Sequence, residues 1–216
     1  MFSEPPSTRL DLRFGFAAIP VRVHPMFWII VFALGWNLPI VEQLLWVGIV
    51  FISILAHELG HTLSALLFGN KSRIVLYSMG GLTIPESHGL PLKGWRHAVV
   101  AVSGPAAGLV LALAAYLVIP RLGSTSSGVL GALYFHLVQV NVAWGLINLL
   151  PIFPLDGGQV ARSLLTEVAG DAGYAWASGL SLVTAGIVAV ASWQLGRPLV
   201  ALFAVYFAVK EWQGSL

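Results

Sequence analysis

The stretch "LLWVGIVFISILAHELGHTLSALLF" (44–68) sets the terms for everything else in this chain. It is an apolar run of 25 residues. As a helix rising about 1.5 Å per residue it covers roughly 37 Å, more than the hydrocarbon core of a bilayer. Yet it carries His57, Glu58 and His61 in its second half. An acid at the middle of a membrane helix costs about 2.5–3.5 kcal/mol even on the lenient insertion scale. Three such groups in one span therefore point to a cavity with a purpose. The composition agrees with a membrane protein: 57% of the 216 residues are hydrophobic and 9% are charged, against about 25% charged in ordinary soluble domains. The mean hydropathy is +0.86.

Further apolar runs follow from the same reading. Residues 25–40 form a first span, short unless tilted, and residues 44–68 the second. Spans three to six are expected at 98–119, 129–150, 174–193 and 198–212. The first run is no signal peptide, because it lacks a small-residue cleavage site and more spans follow it. Residues 1–23 read as a polar N-terminal arm lying along the membrane surface. The segment "SRIVLYSMGGLTIP" (72–85) has β-branched residues around Gly80-Gly81 and reads as a hairpin. Such a segment survives at membrane depth only when packed on protein or lining a cavity. Gly104 and Gly108 are four apart, so a neighbouring helix can approach the third span closely. Residues 160–172 look like an amphipathic surface segment. The fold class is thus an all-α polytopic membrane protein of about six helices, with a small membrane-associated β-hairpin between spans two and three.

Lys and Arg are unevenly shared between the two sides. Nine fall on the side of the N-terminal arm and of residues 69–97, and only Arg121 and Arg197 on the other. The positive-inside rule then makes the N-terminus cytoplasmic. His57 and His61 fall in the cytoplasmic half of span two, and residues 151–158 follow the cytoplasmic end of span four. Trp28, Trp46, Trp95, Trp193 and Trp212 lie near span ends and read as interface anchors.

His57 and His61 are one helical turn apart and share a face, so two imidazoles can reach one ion. Glu58 lies on the adjacent face, within reach of a water held by that ion. The pattern H-E-x-x-H therefore supplies two metal ligands and a general base. A catalytic zinc site needs a third protein ligand and an open position. The chain has no cysteine, which leaves Asp, Glu or His. Most other acids sit in arms or turns, and Glu86 lies in the hairpin segment. Asp156 alone follows a polar-faced span, within "PLDGG", where glycines permit close backbone approach. Its bland alternative is a helix cap after Pro154. Asn148, at the end of span four, could donate to the oxyanion of a tetrahedral intermediate. Asn141, seven residues earlier, reads as an interhelical hydrogen bond. His24, His88 and His97 read as solvated, and His136 is too far along its helix from Asp156 to reach a shared ion.

"HELGH" in one span, "SGPAAG" opening the next and "NLLPIFPLDGG" after another resemble the site-2 protease family of intramembrane zinc metalloproteases. The resemblance covers roughly residues 44–160, and "IPVRVHP" also resembles the start of prokaryotic members. It implies one zinc ion held by His57, His61 and Asp156, with Glu58 as catalytic glutamate and Asn148 as motif asparagine. It implies that the hairpin receives substrate as an added strand, through Met79, Gly80, Gly81, Leu82 and Thr83. The activity implied is hydrolysis of peptide bonds within or near transmembrane segments of substrate proteins. The setting implied is a prokaryotic cytoplasmic membrane, with the lipid bilayer as partner and no nucleic acid.

Residues 1–216 are then expected to form a single transmembrane metalloprotease domain: an arm at 1–23, a catalytic core at 44–160 and C-terminal spans at 174–212. The family's PDZ insertion is not seen, and no cystathionine-synthase-like domain follows residue 216. Two other readings compete. One is an H-E-x-x-H protease of another family, whose third ligand would be a glutamate. The other is a non-catalytic zinc-binding scaffold or a degenerate protease that binds helices.

Overall fold

The structure is a computed structural model that describes residues 4–16, 18–78, 80–85 and 92–215. Met79, Glu86 and His88, named above, lie outside the described residues. In chain order the elements are β1 (Leu12–Phe16), β2 (Ile19–Val23), α1 (Pro25–Leu34), α2 (Ile40–Leu67), β3 (Ser72–Tyr77) and β4 (Gly80–Pro85). They are followed by α3 (Gly94–Leu122), α4 (Gly128–Asn148), α5 (Asp156–Gln194) and α6 (Pro198–Ser215). The mostly helical class with a small sheet agrees with the sequence reading. Among the described residues, four helices, α2 to α5, are long and apolar enough to cross a membrane. The first run forms a helix of only 10 residues, about 15 Å long at the α-helical rise. His24 caps it: its Nδ1 accepts the Met26 N–H at 3.1 Å, and Pro25 needs no partner in the first turn. His24 is buried, not solvated as expected from its sequence position.

The chain divides into two compact units, Met1–Leu90 with Ser103–Gly145, and Pro91–Val102 with Leu146–Leu216. In the first unit a four-stranded sheet runs in the order β1-β2-β3-β4. The β3–β4 hairpin is the one expected, with Tyr77 opposite Gly80 and Ile74 opposite Thr83. Ser78 occupies its tight turn at φ 54. The arm, by contrast, is not simply polar and extended. β1 and β2 pair antiparallel as a second hairpin, and β2 pairs parallel with β3 from Val21 to Val23.

The alternation explains β2. Ile19, Val21 and Val23 are buried, while Pro20 is exposed and Arg22 half-buried. Pro20 lies before the parallel ladder begins, so its missing N–H costs no bond to β3. The inward residues join Phe27 and Val31 of α1, Val50 and Ile54 of α2, and Ile74 and Leu76 of β3 in one apolar core. Residues 4–11 are tied to the sheet by charge. Arg22 donates to Asp11 Oδ2 at 3.0 Å and to Glu4 Oε1 at 2.9 Å, and Arg73 donates to Glu4 Oε2 at 2.6 Å. Hydrogen bonds from Thr8, with Arg22 beside it, hold the Asp11 carboxyl down to about 2. The Arg73 hydrogen bond lowers Glu4 as well.

Helices within the first unit approach closely at small residues. A Cβ on Gly60 of α2 would overlap the Ser103 carbonyl and Ala107 of α3. Asn141 of α4 donates to Ser53 Oγ of α2 at 2.8 Å and to the Leu137 carbonyl at 2.8 Å, the interhelical role read for it. His136 pairs with Glu42 at 2.7 Å.

In the second unit, Glu167 of α5 accepts the Trp95 N–H at 2.7 Å and so caps the start of α3. His97 and Ser163 Oγ lie 2.6 Å apart, so His97 is partnered rather than solvated. The expected surface segment 160–172 is continuous with the next span as α5, interrupted at Gly170 (φ 57, ψ −132). Only glycine takes that conformation without strain.

Candidate metal centre

α2 carries the H-E-x-x-H residues because its apolar sequence propagates a helix through them without a break. Helical spacing then stacks His57 over His61. Their Nε2 atoms lie 3.1 Å apart, with ring centroids 4.8 Å apart and planes crossed at 82°. Two nitrogens each about 2.0–2.1 Å from a tetrahedral ion are about 3.3 Å apart, so the pair needs little adjustment to share one. His57, Glu58 and His61 are all buried. Gly104 of α3 lies against His61: a Cβ there would overlap the ring at Nε2 and Cε1. The close approach expected at Gly104 is therefore made by a candidate ligand.

Glu58 meets β4. Its Oε2 accepts the Thr83 hydroxyl at 2.8 Å, and Thr83 Oγ1 is 3.3 Å from Thr62 Oγ1. A Cβ on Gly81 would overlap the Glu58 carboxyl. The sequence reading gave Gly81 and Thr83 to substrate and missed this contact, because nothing local to β4 signals a partner on α2.

Asp156 is the first residue of α5 and is buried. Leu155 occupies the cap position without a side-chain cap bond, and Asp156 follows as the first helical residue. The two glycines after it do what was expected of them. A Cβ on Gly157 would overlap the Leu149 and Leu150 carbonyls, and one on Gly158 the backbone of Ile152 and Phe153. The loop can thus fold back on the first turn of α5. Phe153 N–H donates to Ser181 Oγ at 2.9 Å, and Gln159 donates to the Pro154 carbonyl at 3.1 Å. Arg162 lies over the Phe153 ring at 3.7 Å and the Tyr174 ring at 4.7 Å, and it pairs with Glu211 of α6. Asn148 is buried at the end of α4.

His57, His61 and Asp156 form a group that could hold a metal ion, with one ligand atom from each within 4.8 Å of the others. Two imidazole nitrogens and a carboxylate oxygen, all buried, suit a borderline-soft divalent ion such as zinc. His136, engaged with Glu42, is not in the group.

Comparison with known proteins points the same way. The model of Peptidase family M50 matches residues 123–191. A protein of Synechocystis sp. named as a candidate zinc metalloprotease is 36% identical over 143 residues, 63% of this chain and 34% of that protein. A zinc metalloprotease of Methanocaldococcus jannaschii is 27% identical over 159 residues, covering 71% of this chain and 45% of its own. The chain thus spans between a third and a half of the length of these relatives. In fold it is similar to the site-2 protease from Methanocaldococcus jannaschii, with a TM-score of 0.63, 21% identity and 95% of each chain covered. The chain resembles the zinc metalloproteases of peptidase family M50 in sequence and the site-2 protease in fold.

Proposed function

We propose that this chain is a member of peptidase family M50 and works as an intramembrane zinc endopeptidase. In this reading it hydrolyses peptide bonds within or near transmembrane segments of other proteins. His57, His61 and Asp156 hold the zinc, one per chain. Bound there, it would supply a water acidic enough to ionise near neutral pH and a Lewis acid for a peptide carbonyl. The observation that carries the reading is the set of two buried histidines of α2 and the buried aspartate that begins α5, with the buried Glu58 of the H-E-x-x-H pattern beside the first histidine. A purely structural zinc site needs no base.

The residues divide the work. Glu58 accepts the proton of the attacking water and later passes it to the leaving amine as the C–N bond breaks. The Asn148 amide donates to the oxyanion left on the carbonyl oxygen when the water adds to the carbon. A substrate helix shields its own carbonyls, so it must unwind locally before cleavage. β4 stands at the edge of the sheet, and an edge strand can hold an extended peptide through main-chain hydrogen bonds. Gly80, Gly81, Leu82 and Thr83 lie on that strand. In this reading the membrane is a prokaryotic cytoplasmic membrane, and the uneven sharing of Lys and Arg supports a cytoplasmic N-terminus and site.

The ligand assignment is tested by elemental analysis of purified protein. Wild type should carry one zinc per chain, and Asp156→Ala should lose most of it after dialysis against a mild chelator. Unchanged zinc in Asp156→Ala would remove that residue from the ligand set.

A further inference from the structure

We propose that Thr83 is a positioning residue for Glu58: its hydroxyl holds one carboxylate oxygen and so fixes the side chain that takes the water's proton. The inference rests on Glu58 acting as the base. It gives the hairpin a role beyond receiving substrate.

The geometry is specific. Thr83 Oγ1 is 2.8 Å from Glu58 Oε2 and 3.3 Å from the Glu58 backbone carbonyl. A hydroxyl has one proton to donate, and the nearer, charged oxygen takes it. Thr83 Oγ1 keeps its lone pairs and lies 3.3 Å from Thr62 Oγ1. Thr62 is buried one turn along α2 from Glu58. Thr62, Thr83 and Glu58 then form a chain of hydrogen bonds running from one hydroxyl through the other to the carboxylate, each strengthening the next in a low-dielectric setting.

Gly81 completes the clamp. Residues 81 and 83 are two apart on a strand, so they share a face. At Gly81 the absent side chain leaves the space that the Glu58 Cγ, Cδ and Oε1 fill. Thr83 thus fixes Oε2 while the Gly81 backbone walls the side of Oε1. A glutamate side chain that would otherwise sample many rotamers is held in one.

One strand then serves two ends. The edge of β4 lies in the plane of the sheet, where the proposed function puts a substrate strand, whereas its face points out of that plane to Glu58. The register against β3 (Ile74 opposite Thr83) decides which residue meets the base. A slip of one residue would bring Leu82 or Ile84 there instead and remove the donor.

The test compares wild type, Thr83→Val, Thr83→Ser and Glu58→Gln, purified in detergent, against a panel of single-span transmembrane peptides. Valine keeps the β-branched shape that suits a strand and loses only the hydroxyl. Thr83→Val should retain one zinc per chain and near-wild-type KM, with kcat lowered about 10- to 100-fold, as expected for a misaimed catalytic group. Thr83→Ser should recover most of that loss. A second readout does not need turnover: isotope-edited infrared spectra of the Glu58 carboxylate should shift in Thr83→Val and not in Thr83→Ser. Unchanged kcat in Thr83→Val, alongside an inactive Glu58→Gln, would overturn the proposal while leaving the function intact. An unshifted carboxylate band would remove the hydrogen bond itself. No cleavage by wild type with the band shifted would sink the proposed function, and the positioning role with it.

Discussion

At the scale of single residues, the candidate centre is half contiguous and half assembled. His57, Glu58 and His61 were legible because helical spacing alone puts them together, and because ionisable groups in an apolar run demand a reason. Asp156 was legible by elimination among few acids and by its flanking glycines. Gly104 was only partly legible. Four-residue spacing with Gly108 announces a close helix contact, but not that the neighbour is a histidine ring. Gly104→Ala should therefore act on the metal and not merely on packing. The added methyl would displace the His61 ring, and zinc affinity should fall about 10- to 100-fold, the usual effect of disturbing what supports a ligand. Competition with a zinc-binding dye measures this. An affinity equal to wild type would show that the ring is free to adjust.

At the scale of elements, the apolar helices announced themselves, since length and composition suffice to find them. β1 and β2 did not. Pro20, Arg13 and Arg22 gave residues 1–23 the composition of an arm, which hid the alternation of Ile19, Val21 and Val23. The parallel pairing with β3 joins segments about fifty residues apart, and no local pattern encodes that partner. The division of α5 was legible in part, since the expected boundary between 160–172 and the next span falls near the kink at Gly170. The polar residues at its start looked like a surface segment, whereas Arg162 is enclosed by two rings and an acid. This enclosure ties α6 to the loop that presents Asp156. Glu211 is almost fully buried, so Glu211→Ala should leave an uncompensated buried charge and cost about 3–5 kcal/mol. Thermal unfolding in detergent should show a clearly lowered midpoint, with Glu211→Gln affected less because it keeps an acceptor. Equal midpoints in all three proteins would mean that the pair holds nothing in place.

At the scale of the whole molecule, the class was the most legible feature of all. A chain of this apolarity could hardly be other than a bundle of membrane-capable helices, and the fold match extends over 95% of the chain. The count of crossings was less so. The run at 25–40 yields a helix of ten residues, because Gly35 and Pro39 end it before it can reach membrane-spanning length. In the proposed function, the small sheet is the feature that would turn such a bundle toward proteolysis. It brings an edge strand to the helix that bears the base, and so joins the two things that cleavage of a buried peptide requires, an extended substrate and an activated water. The central claim is that Glu58 performs the chemistry and does not hold the metal. It is tested most directly by purifying Glu58→Gln, measuring its zinc, and incubating it with a transmembrane peptide that wild type cleaves. The account predicts one zinc per chain and cleavage reduced by at least about 10²- to 10⁴-fold, the usual contribution of a general base. Zinc retained with cleavage at the wild-type rate would contradict it.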